Sequence, residues 1–331
     1  MVSISRERLT ILFRQFSGKR IAVIGDLMLD RYVWGNVGRI SPEAPVPVVE
    51  VEEESVRLGG AANVANNIAA LGGKPIMIGV VGDDDGGRTL RRSVEEQQFS
   101  TEGIVVDASR KTTIKTRVIA HQQHVVRIDR EDKDNIRPET QQKILDVLTS
   151  QVNTFDGIIL EDYNKGVLVK ELIHRVVEFA IQNKKIITID PKFNNFFEYT
   201  NVTVFKPNRK ETEEALGTRM QSPEDIKRCG QALLARLNAE GILLTLGEQG
   251  MMLFERHGEV SHVSTKARHV ADVSGAGDTV IATLTMALAS GATMKESAAV
   301  ANYAGGIVCG EVGIVPIDKQ ILFDSFLLDG K

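Results

Sequence analysis

The chain has little of what would staple, anchor or charge a protein for a large partner. Two cysteines, Cys229 and Cys309, occur in 331 residues, too few for a disulfide framework and not spaced as paired metal ligands. Both read as buried, inert thiols. No stretch approaches the ~18–20 apolar residues of a membrane span. Arg6, Glu7, Arg8 and Arg14 interrupt the N-terminal segment, which therefore lacks the apolar run of a secretory signal, and a soluble cytoplasmic protein is expected. An excess of positive charge is missing too. Forty Lys+Arg stand against 44 Asp+Glu, a net charge of −4, which argues against general nucleic-acid or anionic-membrane binding. Any anion must then be held by a local site. With no internal repeat, low-complexity tract or Gly/Ser linker, one domain over 1–331 is expected. The 42% of hydrophobic residues supply a sizeable packed core.

Ser5 is placed to cap a first helix carrying Leu9, Leu12, Phe13 and Phe16 on one face, stopped by Gly18. A short apolar run follows at 20–25, and similar runs recur at 76–81, 157–160, 186–189, 202–205 and 242–246. Helical patterns lie between most of them, at 61–71, 86–97, 139–151, 170–183 and 222–238, with two more at 277–290 and 295–309. Strands alternating with helices of this length predict a doubly wound, mostly parallel α/β sheet. Two segments break the rhythm. Residues 46–54 alternate apolar and acidic side chains, and 112–120 with 124–129 read as a hairpin around Gln122-Gln123. Each has the period of a strand with one wet face. Together, over about 31–58 and 110–130, they predict a small β-sheet lid inserted in the domain.

The strongest chemical signal is Ala271-Asp-Val-Ser-Gly-Ala-Gly-Asp-Thr279 at a helix start. Gly275, Ala276 and Gly277 offer a turn whose N–H groups make an anion hole. Asp278, in the first helical turn, is favoured as a carboxylate by the helix dipole and is placed to take a proton from an attacking hydroxyl. A second glycine turn, Gly59-Gly60, leads to Asn63, whose amide suits a sugar hydroxyl. Asp26 and Asp30 follow the first strand, at the sheet edge where open α/β folds bind ligands, and suit paired hydroxyls of a polyol. Familiar nucleotide motifs fail. No G-x-x-x-x-G-K-[ST] is present, and Gly275/Gly277 lack the third glycine of a dinucleotide fingerprint. No cysteine pair accompanies the six histidines to complete a zinc site, and Asp83-Asp84-Asp85 does not align as an EF-hand loop.

Taken in order, Gly25-Asp26, Gly59-Gly60-x-x-Asn63, Gly82-Asp83, Asp162-Tyr-Asn-Lys165-Gly166, Asp190-Pro-Lys192, Lys206-Pro-Asn208-x-x-Glu211, Thr245-x-Gly247-x-x-Gly250 and Asp272-x-Ser-Gly-Ala-Gly-Asp278 resemble the ribokinase-type (PfkB) carbohydrate kinases over essentially the whole chain. Arg39-Ile-Ser-Pro-Glu-Ala-Pro-Val-Pro-Val48 and Asp26-Leu-Met-Leu-Asp-Arg31 further resemble its heptose 7-phosphate kinases. That resemblance implies a ribokinase-like fold and ATP-dependent phosphorylation of the anomeric C1 hydroxyl of D-glycero-β-D-manno-heptose 7-phosphate, a step towards ADP-heptose and lipopolysaccharide. Many relatives add a nucleotidyltransferase with an H-x-G-H motif. The pair at that spacing, His121-Gln-Gln-His124, lacks the glycine, so the kinase alone is expected.

The resemblance also implies roles. Asp278 is the expected general base, and the backbone of 275–277 holds the transferring phosphoryl. Asn208 and Glu211 organise Mg²⁺ and its waters beside ATP, bordered by Thr245, Gly247 and Gly250. Asp272 and Ser274 are expected at a monovalent-cation (K⁺) site. For the sugar's own phosphate, Lys165 and Lys192 are expected, since each follows a strand at the ligand-binding edge. Apolar lid positions suggest a homodimer in which two lids cover each other. Alternatives are a kinase for a fructose- or tagatose-type phosphate, and a sugar-phosphate sensor that has lost catalysis.

Overall fold

A computed structural model describes residues 4–121, 123–265 and 271–328. Gln122, at the expected hairpin turn, and His269 lie outside the described residues. The elements run α1 (Arg6–Gln15), β1 (Arg20–Gly25), β2 (Leu27–Ile40), β3 (Pro47–Gly60), α2 (Ala61–Ala70), β4 (Lys74–Val81), α3 (Asp85–Glu96), β5 (Ile104–Val106), β6 (Thr113–Ala120), β7 (Gln123–Arg130), α4 (Pro138–Ser150), β8 (Gly157–Glu161) and α5 (Lys170–Gln182). Then come β9 (Ile186–Asp190), β10 (Val204–Phe205), α6 (Arg209–Leu216), α7 (Pro223–Leu237), β11 (Gly241–Thr245), β12 (Met251–Glu255), β13 (Val260–Val263), α8 (Ala276–Ala289), α9 (Met294–Val308) and α10 (Lys319–Leu328).

Nine strands form the main sheet in the order β13-β12-β11-β10-β9-β8-β1-β4-β5. Its central pairs are parallel, while β12 and β13 add an antiparallel edge. The reason lies in the side chains. In β1, Ile21 and Val23 join the core beneath α1, α2, α8 and α9, whereas Ala22 and Ile24 join the opposite core with α4, α5 and α7. A strand apolar on both faces can only sit between two helical layers.

A separate four-stranded sheet runs β3-β2-β6-β7. The sequence pattern expects the 46–54 segment to pair with the hairpin. Instead β2 lies between them, antiparallel to β3 and parallel to β6. Its register brings Asp30 opposite Lys115 and Tyr32 opposite Arg117. The hinge between the sheets is tight. Gly60 caps α2 at φ 57°, and a Cβ there would lie 2.5 Å from the carbonyl oxygen of Asp26, so glycine is required.

Candidate active site

The parallel register sets the C-terminal ends of β1, β8 and β9 level, pairing Gly25 with Glu161 and Glu161 with Asp190. Lys206 follows β10 at the same edge. The N-terminus of α8 is delivered against this edge, and a cavity of about 930 Å³ opens there, lined by Lys192, Asn208, Thr245, Gly247, Gly250 and the turn 275–278. Four of the expected nucleotide residues, Asn208, Thr245, Gly247 and Gly250, therefore share one space with the expected base, while Glu211 lies outside its lining. Gly275 makes the turn at φ 78°, and a Cβ there would press to 3.0 Å from the Asn63 amide nitrogen.

Asp278 is buried and fully hydrogen-bonded. Its Oδ2 accepts from Asn63 Nδ2 at 2.7 Å and its Oδ1 from the Tyr163 hydroxyl at 2.8 Å. Burial raises its pKa to about 6, against those two bonds. Desolvation thus raises the pKa above the ordinary value, yet at pH 7 the group is still mostly the expected carboxylate. Asn63 is itself held by α2, where Asn67 donates to its backbone oxygen at 3.0 Å. Its amide orients Asp278, which is a different place from the sugar hydroxyl expected of it. In the turn, Ala276 N bonds Val273 O at 3.3 Å. The amides of Gly277 and Asp278 have no protein acceptor among the described residues. Two open N–H groups at a helix N-terminus suit an anion.

Around Asp278 stand groups that motif reading did not single out. Glu161, Asp190 and Asp278 each bring a carboxylate oxygen within 4.8 Å of the others. Both Glu161 oxygens are buried without a partner among the described residues, and burial, with the charges of Asp190 and Asp278, drives its pKa well above the ordinary value. Lys206 pairs with Asp190 at 2.8 Å. The signals for these residues are the acidic pair Glu161-Asp162 at a strand end, the Tyr163 beside it, and the lysine opening Lys206-Pro-Asn208.

Asn208 and Glu211 form a reciprocal cap on α6. The Asn208 side chain accepts from Glu211 N at 2.8 Å, and Glu211 Oε2 accepts from Asn208 N at 2.8 Å. The N-x-x-E spacing is that of a capping box, which leaves Oε1 of Glu211 to take Lys192 Nζ at 2.7 Å. The carboxylates of Glu211 and Asp190, with Glu161 unpartnered beside them, are hard oxygen donors of the kind Mg²⁺ takes.

Several expected sugar or ion ligands are spent elsewhere. Asp26 accepts from the backbone N–H groups of Tyr163, Lys165 and Val167 at 2.7, 3.1 and 3.3 Å, so it pins the loop after β8 and is not free for hydroxyls. Asp30 pairs with Arg117. Gly59 leaves room for that carboxylate, since a Cβ would meet Asp30 Oδ2. Lys165 pairs with Glu131 at 2.6 Å, and Lys192 with Glu211, so neither is a free cation. Asp272 accepts from Ser274 N at 2.9 Å and Gly313 N at 3.0 Å. It ties the 271–278 loop to the segment before α10 and holds Ser274 beside it.

Comparison with known proteins places this geometry. The chain is 44% identical to the Bifunctional protein HldE of Geobacter sulfurreducens over 320 residues, 97% of this chain and 65% of that protein. It is 44% identical to the Bifunctional protein HldE of Helicobacter pylori strain HPAG1 over 295 residues, 89% of this chain and 64% of the relative. The chain thus spans just under two thirds of the length of these curated relatives. Phosphofructokinase-2 from Escherichia coli in complex with potassium superposes with TM-score 0.77 over 95% of this chain and all of that one, at 17% identity. Arabidopsis thaliana ribokinase complexed with ribose and ATP does so with TM-score 0.73 over 94% and 99%, at 16% identity. Both share the ribokinase-like α/β fold. Residues 19–319 match the pfkB family of carbohydrate kinases, and the chain belongs to that family.

Proposed function

We propose that the protein transfers the γ-phosphoryl of ATP to the anomeric C1 hydroxyl of a heptose 7-phosphate, giving the 1,7-bisphosphate on the way to ADP-heptose. One observation carries the chemistry: a buried carboxylate, Asp278, stands between two hydrogen-bond donors beside two open amides at a helix N-terminus. The heptose rests on the Arg39–Val48 and Asp26–Arg31 stretches and on the relatives named HldE.

In this reading Asp278 accepts the proton of the sugar hydroxyl as its oxygen attacks the γ-phosphorus, and ADP departs on the opposite side. A pKa of about 6 suits a base at neutral pH, strong enough to take the proton and weak enough to release it. Phosphoryl transfer gives the protein little covalent work, so positioning and charge stabilisation dominate. The amides of Gly277 and Asp278 meet the charge on the equatorial oxygens. Lys192 and Lys206 hold Asp190 and Glu211 in place around the phosphates, with Thr245, Gly247 and Gly250 bordering the nucleotide. Mg²⁺, held by Glu211 and Asp190, neutralises phosphate charge when bound.

The test is ADP release with heptose 7-phosphate, unphosphorylated heptose, fructose 6-phosphate and tagatose 6-phosphate. Release that depends on heptose 7-phosphate is expected. Preference for a hexose phosphate overturns the substrate assignment, and acceptor-independent turnover alone favours a sensor. We also propose that the small sheet pairs two chains, because Ile40, Val51, Val126 and Ile128 expose apolar side chains on it. A monomer in light scattering rejects that pairing.

A further inference from the structure

Lys115 stands on β6, in register with Asp30 of β2 and Asp129 of β7. Its Nζ lies 5.0 Å from the centre of the Tyr163 ring, the ring whose hydroxyl donates to Asp278. Neighbouring cations are already committed. Arg117 pairs with Asp30, Lys165 with Glu131, and Lys192 with Glu211. Lys115 is half-buried, yet among the described residues no carboxylate or carbonyl accepts from it. Burial lowers its pKa, and Lys165 and Arg117 lower it further against the pull of Asp30 and Asp129. A lysine without a task extends its ammonium into water. One withdrawn from water beside two like charges is unfavourable until an anion arrives.

Which anion follows from placement. The nucleotide residues and the open amides of α8 gather in the cavity on the main sheet. Lys115 instead belongs to the small sheet and reaches Asp278 through the length of one phenol ring. A group touching Lys115 is therefore carried by the molecule whose hydroxyl faces Asp278. We propose that Lys115, flanked by Arg117, receives the phosphate group of the sugar-phosphate acceptor and sets the preference for phosphorylated over unphosphorylated sugars. This rests on the kinase reading above.

The experiment compares kcat/KM for heptose 7-phosphate with kcat/KM for unphosphorylated heptose, in wild type, Lys115→Met and Lys115→Arg. A charge-assisted contact to phosphate is worth about ten- to a hundredfold in binding, so the ratio should fall by about that factor in Lys115→Met. Lys115→Arg, which keeps the charge, should retain most of it. A Lys115→Met enzyme with the wild-type ratio overturns the assignment, as does an equal fall in both variants. Calorimetric titration of heptose 7-phosphate into each variant should show the same loss without turnover. Failure of the kinase reading looks different: wild type itself then releases no ADP with heptose 7-phosphate.

Discussion

Asp278→Asn removes one titrating site and almost no volume from the most buried part of the cavity. The carboxyl has a pKa of about 6 in the folded chain against an ordinary value of 3.8. A displacement of about two pH units corresponds to about 3 kcal/mol of folding free energy lost at neutral pH. Proton counting gives the sign. Between pH 3.8 and about 6 the folded chain keeps a proton that the unfolded chain has released, so the penalty is absent below that window, grows across it and is complete above it. Asparagine is neutral throughout. Only one of its two terminal atoms can accept, however, so either Asn63 or Tyr163 loses its partner, at about 1–2 kcal/mol. The net expectation at pH 7.5 is a gain of about 1–2 kcal/mol, a few degrees in Tm. Near pH 4 the gain should disappear and the lost hydrogen bond should leave the variant slightly the weaker. Scanning calorimetry of both proteins from pH 4 to 8 reads this directly. The same substitution should lower kcat about 10²–10⁴-fold, as loss of a general base does. A variant no more stable than wild type at pH 7.5 refutes desolvation as the origin of the raised pKa. A near-normal kcat refutes the base.

Tyr163→Phe removes a bond that favours the Asp278 carboxylate, so the acid limb of the kcat/KM profile should move upward from about pH 6, by about one unit for a hydrogen bond to a charged group. A limb that stays in place or moves down removes Tyr163 from the control of that pKa. Burial and the charges of Asp190 and Asp278 push the Glu161 pKa up and so favour its protonated form; Glu161→Gln should then leave thermal stability within about 1 kcal/mol of wild type, whereas Glu161→Ala opens a void and should cost about 2–3 kcal/mol. Equal losses in thermal melts of the two variants would show that Glu161 is held as an anion.

Much of the main sheet is legible in the sequence because its central strands are apolar on both faces and separated by helices of ordinary length. The expected strand at 186–189 ends within one residue of Asp190, and the expected helix at 277–290 overlaps Ala276–Ala289. The elements passed over are those whose pattern is short or borrowed. Ile104–Val106 has three residues, and Val260–Val263 four. β2 hides because its first four residues are buried and its remainder is mixed, so the chain passes from the main sheet into the small one at Asp26 without a period to mark it. At the site, the residues that bring unusual backbone or a helix start were readable: Gly275, Asp278, Asn208 and Glu211 all sit at caps. Side chains whose role depends on a partner far along the chain were not. Asp26 is spent on amides 137 to 141 residues away, and Lys165 on Glu131. No local spacing encodes which cation a fold will neutralise, so Lys115, which has no hydrogen-bonding acceptor among the described residues, emerges only once its neighbours are paired.

The same accounting makes the metal a requirement rather than an aid. Asp190, Glu211, Glu248 and Asp278 stand against Lys192, Lys206, Arg209 and Lys210, which leaves the site about neutral. ATP adds about four negative charges, and no P-loop lysine is present to meet them, so a divalent cation must supply the balance. Calorimetric titration of ATP should show binding at least tenfold weaker in EDTA than in excess Mg²⁺. Equal affinity would refute the charge argument. Glu211→Gln then separates two meanings of the N-x-x-E motif. Gln preserves the capping box, since its amide oxygen still accepts from the N-cap amide, so α6 should remain folded. If Glu211 serves the metal, the Mg²⁺ concentration for half-maximal rate rises more than the acceptor KM. If its work is to neutralise Lys192, the variant leaves an ammonium facing the phosphates, and the Mg²⁺ requirement falls. A rise is expected here, because Lys192 links Glu211 to Asp190, at 2.7 and 3.9 Å, and lysine pairing leaves oxygen lone pairs unused.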